Sequence, residues 1–317
     1  MTYASGSTIL AADYNGLVGT NPNIVSGTLN TVWSTGGNNA GYGQTALSTV
    51  TAGQVVGASE WANLVNKTAN SGSHQGSSLS SVVVPAVGGS VAYQANIPTN
   101  LTTIYTNRLN ASTQGSTTAN SVAYASTWIN SVTFTHTATF ANGDAARYFF
   151  NSGGQLKITC AHANTSSAVN QLFNGLASNV GTVVMSSPTS GSITIFSTSY
   201  NGITKVGGGG SAPTISTNSG YYAMSTSNAN VFTQVAGSGG TYTSSFIRII
   251  AKSNGSNISG NGDAGSVVTI YTVWDEVPDG LTVGANSTVT LTAQAPETTY
   301  LANSWGTISI AGSASGS

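Results

Sequence analysis

Beyond residue 128 the chain is written in short runs in which every second side chain is apolar. Ser266-Val267-Val268-Thr269-Ile270-Tyr271-Thr272-Val273-Trp274 is one, and Ser287-Thr288-Val289-Thr290-Leu291-Thr292 another. A period of two sends alternate side chains to opposite faces, so each run predicts a strand with one buried face and one wet, threonine-rich face. On this pattern strands fall at 130–140, 146–151, 155–162, 180–186, 192–199, 220–224, 229–236, 243–252, 266–277, 286–294 and 305–311. Such a series predicts a mainly β domain over 128–317, an antiparallel β-sandwich of jelly-roll-like kind. One helix interrupts it: Ala168, Val169, Leu172, Phe173, Leu176 and Ala177 form a single apolar stripe behind an Asn164-Thr165 cap, and Gly181 follows. That helix is expected to cover one sheet or close one end of the sandwich.

Residues 1–80 read differently. Ile9-Leu10-Ala11-Ala12-Asp13-Tyr14-Asn15-Gly16-Leu17 is echoed by Val56-Gly57-Ala58-Ser59-Glu60-Trp61-Ala62-Asn63-Leu64. In each copy an acid precedes an aromatic and a leucine follows three positions later, which lines one face of a helix. The echo predicts two helices, at 11–20 and 58–69, with Asp13 and Glu60 in first turns, where negative charge complements the helix dipole. Gly36-Gly37-Asn38-Asn39-Ala40-Gly41-Tyr42-Gly43-Gln44 between them is loop-like. Residues 1–80 are thus expected to be a small helical attachment module with a doubled motif. Residues 81–127 are expected to be a linker carrying a helix near 99–111, with Ser71–Ser78 and Ser112–Ser121 as further linker.

Charge sets the surface. The 317 residues include 7 Lys+Arg and 8 Asp+Glu, 5% of the chain, where a globular protein usually has about 25%. Ser, Thr, Asn, Gln and 39 Gly take their place, and a near-neutral surface lacks the self-repulsion that keeps proteins apart, so the composition favours assembly. Arg108, Arg147, Lys157, Arg248 and Lys252 are scattered, without the cluster that phosphate neutralisation needs, so no nucleic-acid partner is expected. Cys160 is the single cysteine, leaving no intrachain disulfide, and its place in an alternating run predicts a small apolar residue facing the core. The N-terminus has neither a basic region nor a long apolar stretch, and no apolar run reaches 18 residues, so neither a signal peptide nor membrane insertion is expected.

The motifs of chemistry are sparse. There is no G-x-S-x-G, no H-E-x-x-H and no phosphate-binding G-x-x-x-x-G-K-[ST], and Gly207-Gly208-Gly209-Gly210 continues into Ser211-Ala212-Pro213 without a lysine. Of the histidines, His74 is expected in a linker, while His136 and His162 on neighbouring strands are the one pair that could share a metal. Asp275 and Glu276 are adjacent on a strand and point to opposite faces, so they do not form a catalytic pair, and Pro278-Asp279-Gly280 reads as a turn. Asp263 lacks partners for calcium. No catalytic residue, cofactor or metal site is therefore expected. Exposed aromatics could bind a glycan: Tyr221, Tyr222 and Trp305 are the surface-binding candidates, with Tyr300 beside them, while Trp274 lies in an apolar run and belongs to the core.

The segment Phe140-Ala141-Asn142-Gly143-Asp144-Ala145-Ala146-Arg147-Tyr148-Phe149-Phe150-Asn151-Ser152-Gly153-Gly154-Gln155-Leu156 resembles a motif of virion structural and tail-associated proteins of tailed bacteriophages, including phages of cyanobacteria. The doubled N-terminal motif is similar to the leading segments of the same proteins. Physically, the segment reads as a strand of Tyr148, Phe149 and Phe150 between two turns, with Asn151 to Gly154 a hairpin leading into the next strand. The resemblance implies a non-enzymatic structural protein, made in the host cytoplasm and built into the virion as a tail, baseplate or tail-fibre component. Its partners would be further copies of itself, a trimer by analogy with fibres, and other virion proteins. A capsid decoration or cement protein and a host-glycan-binding adhesin are the alternatives, and a depolymerase would need convergent carboxylates that eight acids scarcely supply.

Overall fold

The computed structural model describes residues 9–19, 27–37, 39–86, 88–89, 91–92, 94–215, 220–237, 242–255, 265–277 and 280–316. Helices α1 (Ala11–Val18), α2 (Leu29–Trp33), α3 (Ala58–Gln75) and α4 (Asn96–Thr106) come first. Strands β1 (Gln114–Tyr124), β2 (Trp128–Ile129) and β3 (Ser131–Thr139) follow, then α5 (Gly143–Asn151), β4 (Gln155–His162) and α6 (Ala168–Val180). Next come β5 (Thr182–Met185), β6 (Ile193–Ile195), β7 (Thr198–Tyr200), β8 (Ile203–Val206), β9 (Thr214–Ile215) and a 3-10 turn at Tyr221–Ala223. The chain ends in β10 (Ala229–Val235), β11 (Phe246–Ser253), β12 (Val267–Asp275), β13 (Thr282–Val283), β14 (Ser287–Pro296) and β15 (Ser309–Gly316).

The fold is mainly β, as the alternation predicts. A five-stranded sheet has the order β1-β14-β4-β5-β8 and a six-stranded sheet the order β15-β3-β12-β11-β10-β9, with antiparallel pairing throughout both. One core joins them: Leu156, Ile158, Val289 and Leu291 of the first sheet cluster with Phe134, Ile249, Ile270 and Trp274 of the second. Helix α6 packs on β4 and reaches β10 and β11, so it closes part of the space between the sheets. Its Phe173 stacks on Trp274, centroids 6.0 Å apart and planes at 14°, and meets Trp128 edge-on at 4.9 Å. The helix is capped by Ser167, whose Oγ accepts from Asn170 N at 3.3 Å, rather than by Asn164-Thr165.

Helices α1 to α4 surround a second core of Tyr14, Leu29, Trp33, Trp61, Leu64 and Leu101, to which Leu301 is added from the stretch between β14 and β15. The echoed motif acquires a purpose here, because its two aromatics, Tyr14 and Trp61, pack together with centroids 6.5 Å apart. Asp13 and Glu60 lie in first turns as expected.

Several expectations need correcting. Helix α3 does not give way to a linker at Ser71 but runs to Gln75 and stops at Gly76, φ 69°. Thr68 and Ser71 donate their hydroxyls back to the carbonyls of Leu64 and Lys67, so these small polar residues are buried without loss. The expected linker 81–127 divides: α4 joins the helical core, and the polar stretch expected as linker at Ser112–Ser121 lies largely in β1, an edge strand exposed enough to need no apolar alternation. The segment 146–151 is helix α5, not a strand, and 220–224 forms the 3-10 turn. Pro278, Asp279 and Asp263 lie outside the described residues.

In the helical part, extended stretches are held by carboxamides instead of by neighbouring strands. Asn15 accepts from Val50 N and donates to Val50 O, both at 2.9 Å, and Asn30 does the same to Leu47 at 2.9 Å. Asn100 clamps Ser80 at 2.9 and 2.8 Å, and Gln94 clamps Val83 at 2.6 and 2.8 Å. One side chain thus satisfies the N–H and the C=O of one residue, as a strand would. Asn100 is 3% exposed, so Asn100→Asp, which keeps the acceptor and loses the donor, is expected to lower unfolding free energy by about 1–3 kcal/mol in urea titrations.

Candidate functional site

The segment 140–156 folds into the joint between the helical part and the sandwich. Asn142 starts α5 by accepting from Ala145 N at 2.8 Å, and Asp144 sits in the first turn. The helix that results has two different faces. Inward, Phe149 and Phe150 meet Phe140 at 5.3 and 6.0 Å, and Phe150 stacks on Tyr221 at 4.3 Å. Outward, Arg147, Tyr148 and Asn151 take hold of the loop that follows α2.

Arg147 carries the outer face. Its guanidinium, on a side chain 5% exposed, donates to Ala40 O and Thr35 O at 2.7 Å each and to Asp144 Oδ1 at 3.2 and 2.9 Å. It lies 4.8 Å from the Tyr148 ring centroid. Asn151 Nδ2 donates to Gly41 O at 3.1 Å while its Oδ1 accepts from Tyr222 Oη at 2.7 Å. The loop approaches so closely that a Cβ at Gly43, φ 68°, would lie 2.3 Å from the Tyr148 ring. This accounts for Gly43 better than flexibility does.

A buried polar seam extends the joint. Tyr42 Oη donates to Arg108 O at 2.8 Å and accepts from Gln75 Nε2 at 2.8 Å. Gln44 clamps Ala302 at 2.8 and 2.9 Å, and Ser304 Oγ donates to Tyr42 O. His74, expected in an exposed linker, is fully buried instead: its Nε2 bonds Ser152 O at 3.1 Å and its ring meets Tyr42 edge-on at 5.3 Å. Burial holds its pKa down at about 4, against the pull of the Ser152 carbonyl and of Glu297.

The other candidates are dispersed or enclosed. His136 lies on the core side of β3, and His162 lies on β4 in the opposite sheet; burial lowers both pKa values. Among the described residues no three His, Cys, Asp or Glu come together as a metal site. His162 bonds Ser287 Oγ through Nδ1 at 3.0 Å and Asn170 Oδ1 through Nε2 at 3.4 Å. A Ser–His–Asn row can serve nucleophilic catalysis. Here, however, Ser287 is 0% exposed and its hydroxyl already accepts from Trp128 Nε1 at 3.3 Å, so the row ties α6 to the sheets. Glu276 is buried while Asp275 is partly exposed, consistent with opposite faces. Cys160 is partly buried against the core, and desolvation pushes its thiol up to about 12.

The surface-binding candidates are corrected outright. Tyr221, Tyr222 and Trp305 are 0%, 1% and 2% exposed and all belong to the sandwich core, so none can stack on a sugar. The hydroxyl bond of Tyr222 to Asn151 and the stacking of Tyr221 on Phe150 are what hold them inside. Among the described residues the exposed aromatics are Phe196, 61% exposed at the β6–β7 turn, and Tyr300 at 36%. Each sits beside a buried aliphatic residue, Ile195 or Leu301, so nothing in the local sequence marks it as exposed.

The cations are held by neighbouring side chains. Lys67, Arg108, Arg147, Arg248 and Lys252 each lie over an aromatic ring, and Lys157 and Lys205 donate to the carboxamides of Gln294 and Gln234. Among the described residues no helix is long and apolar enough to cross a membrane. Comparison of the chain with protein-family models, curated proteins and solved structures finds no match.

Arg147→Met is expected to leave the carbonyls of Thr35 and Ala40 unpaired, to lower stability by about 1–3 kcal/mol, and to split a single calorimetric transition into two. Acid should act on the same seam. The folded pKa of His74 lies below the ordinary 6.5, so the unfolded chain takes up the proton first and stability falls as pH drops from 6.5 to about 4. The expected loss is about 3 kcal/mol, and denaturant titrations of His74→Gln across that window should show a correspondingly flatter pH dependence.

Proposed function

We propose that the chain is a structural protein of a tailed-phage particle, assembled in several copies as a tail, baseplate or fibre component and acting by contact rather than by chemistry. One observation carries the reading: residues 140–156, the motif of the phage-protein resemblance, build the joint, with Phe149 and Phe150 in the sandwich core and Arg147 gripping the helical part. A segment that fixes an attachment module to a sandwich by buried bonds suits a protein whose task is to hold position. The scarcity of charge, with five of the seven cations lying over aromatic rings, supports the same reading, because copies can pack without repulsion. The partners in this reading are further copies of the chain and other virion proteins.

Immunogold labelling of purified particles with antibody raised against the recombinant chain tests it. Gold on the tail is the expected result. Gold spread over capsid faces would favour a decoration protein, and particles that carry none of the chain would contradict the proposal.

A further inference from the structure

The two flanks of the sandwich are not alike. On one, the six-stranded sheet ends in β9, two residues long, and the five-stranded sheet in β8, four residues that include Lys205. Short edge strands and a lysine are the usual guards against unwanted strand pairing. On the other flank the edges are β1 with 11 residues and β15 with 8. Strand β15, Ser309-Ile310-Ala311-Gly312-Ser313-Ala314-Ser315-Gly316, has no charge and no proline, and pairs with β3 residue by residue without a bulge.

Strand β15 is also firmly seated. Ile310 and Ala314 pack against the main core, and β1 closes over its inner face so tightly that a Cβ at Gly312 would lie 2.5 Å from Val122 Cγ2. Ser309, Ala311, Ser313 and Ser315 face solvent, and among the described residues only β3 pairs with this strand. An ordered strand therefore presents a row of backbone N–H and C=O groups along its outer edge.

We infer that β15 is a docking edge and that its occupant is β15 of a second copy, paired antiparallel about a two-fold axis perpendicular to the sheet. The chemistry selects the occupant: only another extended backbone matches a ladder of alternating donors and acceptors. An antiparallel strand pair is self-complementary under a two-fold, and uncharged Ser, Ala and Gly side chains bring neither bulk nor repulsion to the join. Because the opposite flank is guarded, the sheet closes at two copies instead of growing into a fibre. The inference rests on the multi-copy reading above and assigns it a surface.

Charge exchange on the outward side chains tests it. The full chain carries either Ala311→Lys with Ser313→Lys or Ala311→Glu with Ser313→Glu, positions whose exposure lets the monomer fold, as circular dichroism verifies. Light scattering after size exclusion should give the wild type twice the 31.8 kDa chain mass, each variant alone the single mass, and the mixed variants the doubled mass again. Lysine and glutamate variants that associate as well as the wild type would overturn the docking edge while leaving assembly through another surface intact. A wild type of single mass at every concentration would overturn the docking edge too, and the multi-copy reading would then stand or fall on particle labelling alone.

Discussion

A guanidinium withdrawn from water is tolerable only if nearly all its donors find acceptors, and Arg147 is placed where the two bodies of the molecule can supply them. Asp144, one helical turn back, is half-exposed and provides the charge; Thr35 and Ala40, more than a hundred residues earlier, provide carbonyls. Those two bonds fix the course of the loop after α2. The loop in turn delivers Tyr42 to Arg108 and Gln75, and Gln44 to Ala302, so that the first and last parts of the chain close around the same seam.

Neutral hydrogen bonding does elsewhere what ion pairs do in more charged proteins. The carboxamides of Asn15, Asn30, Asn100 and Gln44 hold extended backbone in both directions at once. Such contacts carry no net charge, so salt screens them little, and they leave the outer surface free of long-range repulsion. The fold and the proposed assembly thus draw on the same compositional choice. The charge that a soluble protein usually spends on its exterior is missing, and the amides that replace it are used inside.

The long sandwich strands and α6 were legible because their period is set by a large buried face: Val132, Phe134 and Ala138 on β3, or Val169, Phe173 and Leu176 on α6, repeat at the spacing of the element that carries them. The short β8 and β9 carry too few residues to show a period, and the run 192–199, expected as one strand, folds back on itself as the β6–β7 hairpin. Strand β1 was not, since an exposed edge imposes no apolar period. Helix α5 was misread because both of its faces are buried, against different bodies, which mimics a strand with aromatics on both sides. Its Asn142 cap, two residues before an acid, was the signal that could have identified it. The aromatic candidates failed for a related reason. Whether Tyr222 faces water or Asn151 depends on a contact 71 residues away, and nothing local encodes it.

The account stands on the joint being part of one cooperative unit with the sandwich, and native-state hydrogen exchange reads this directly. The amides of Gly43, Gln44 and Ala302, which donate to Ser34 O, Trp33 O and Gln44 Oε1, should exchange with the same opening free energy as the central amides of β3 and β12. Exchange at those three amides as fast as in exposed turns, with β3 and β12 still protected, would contradict the account.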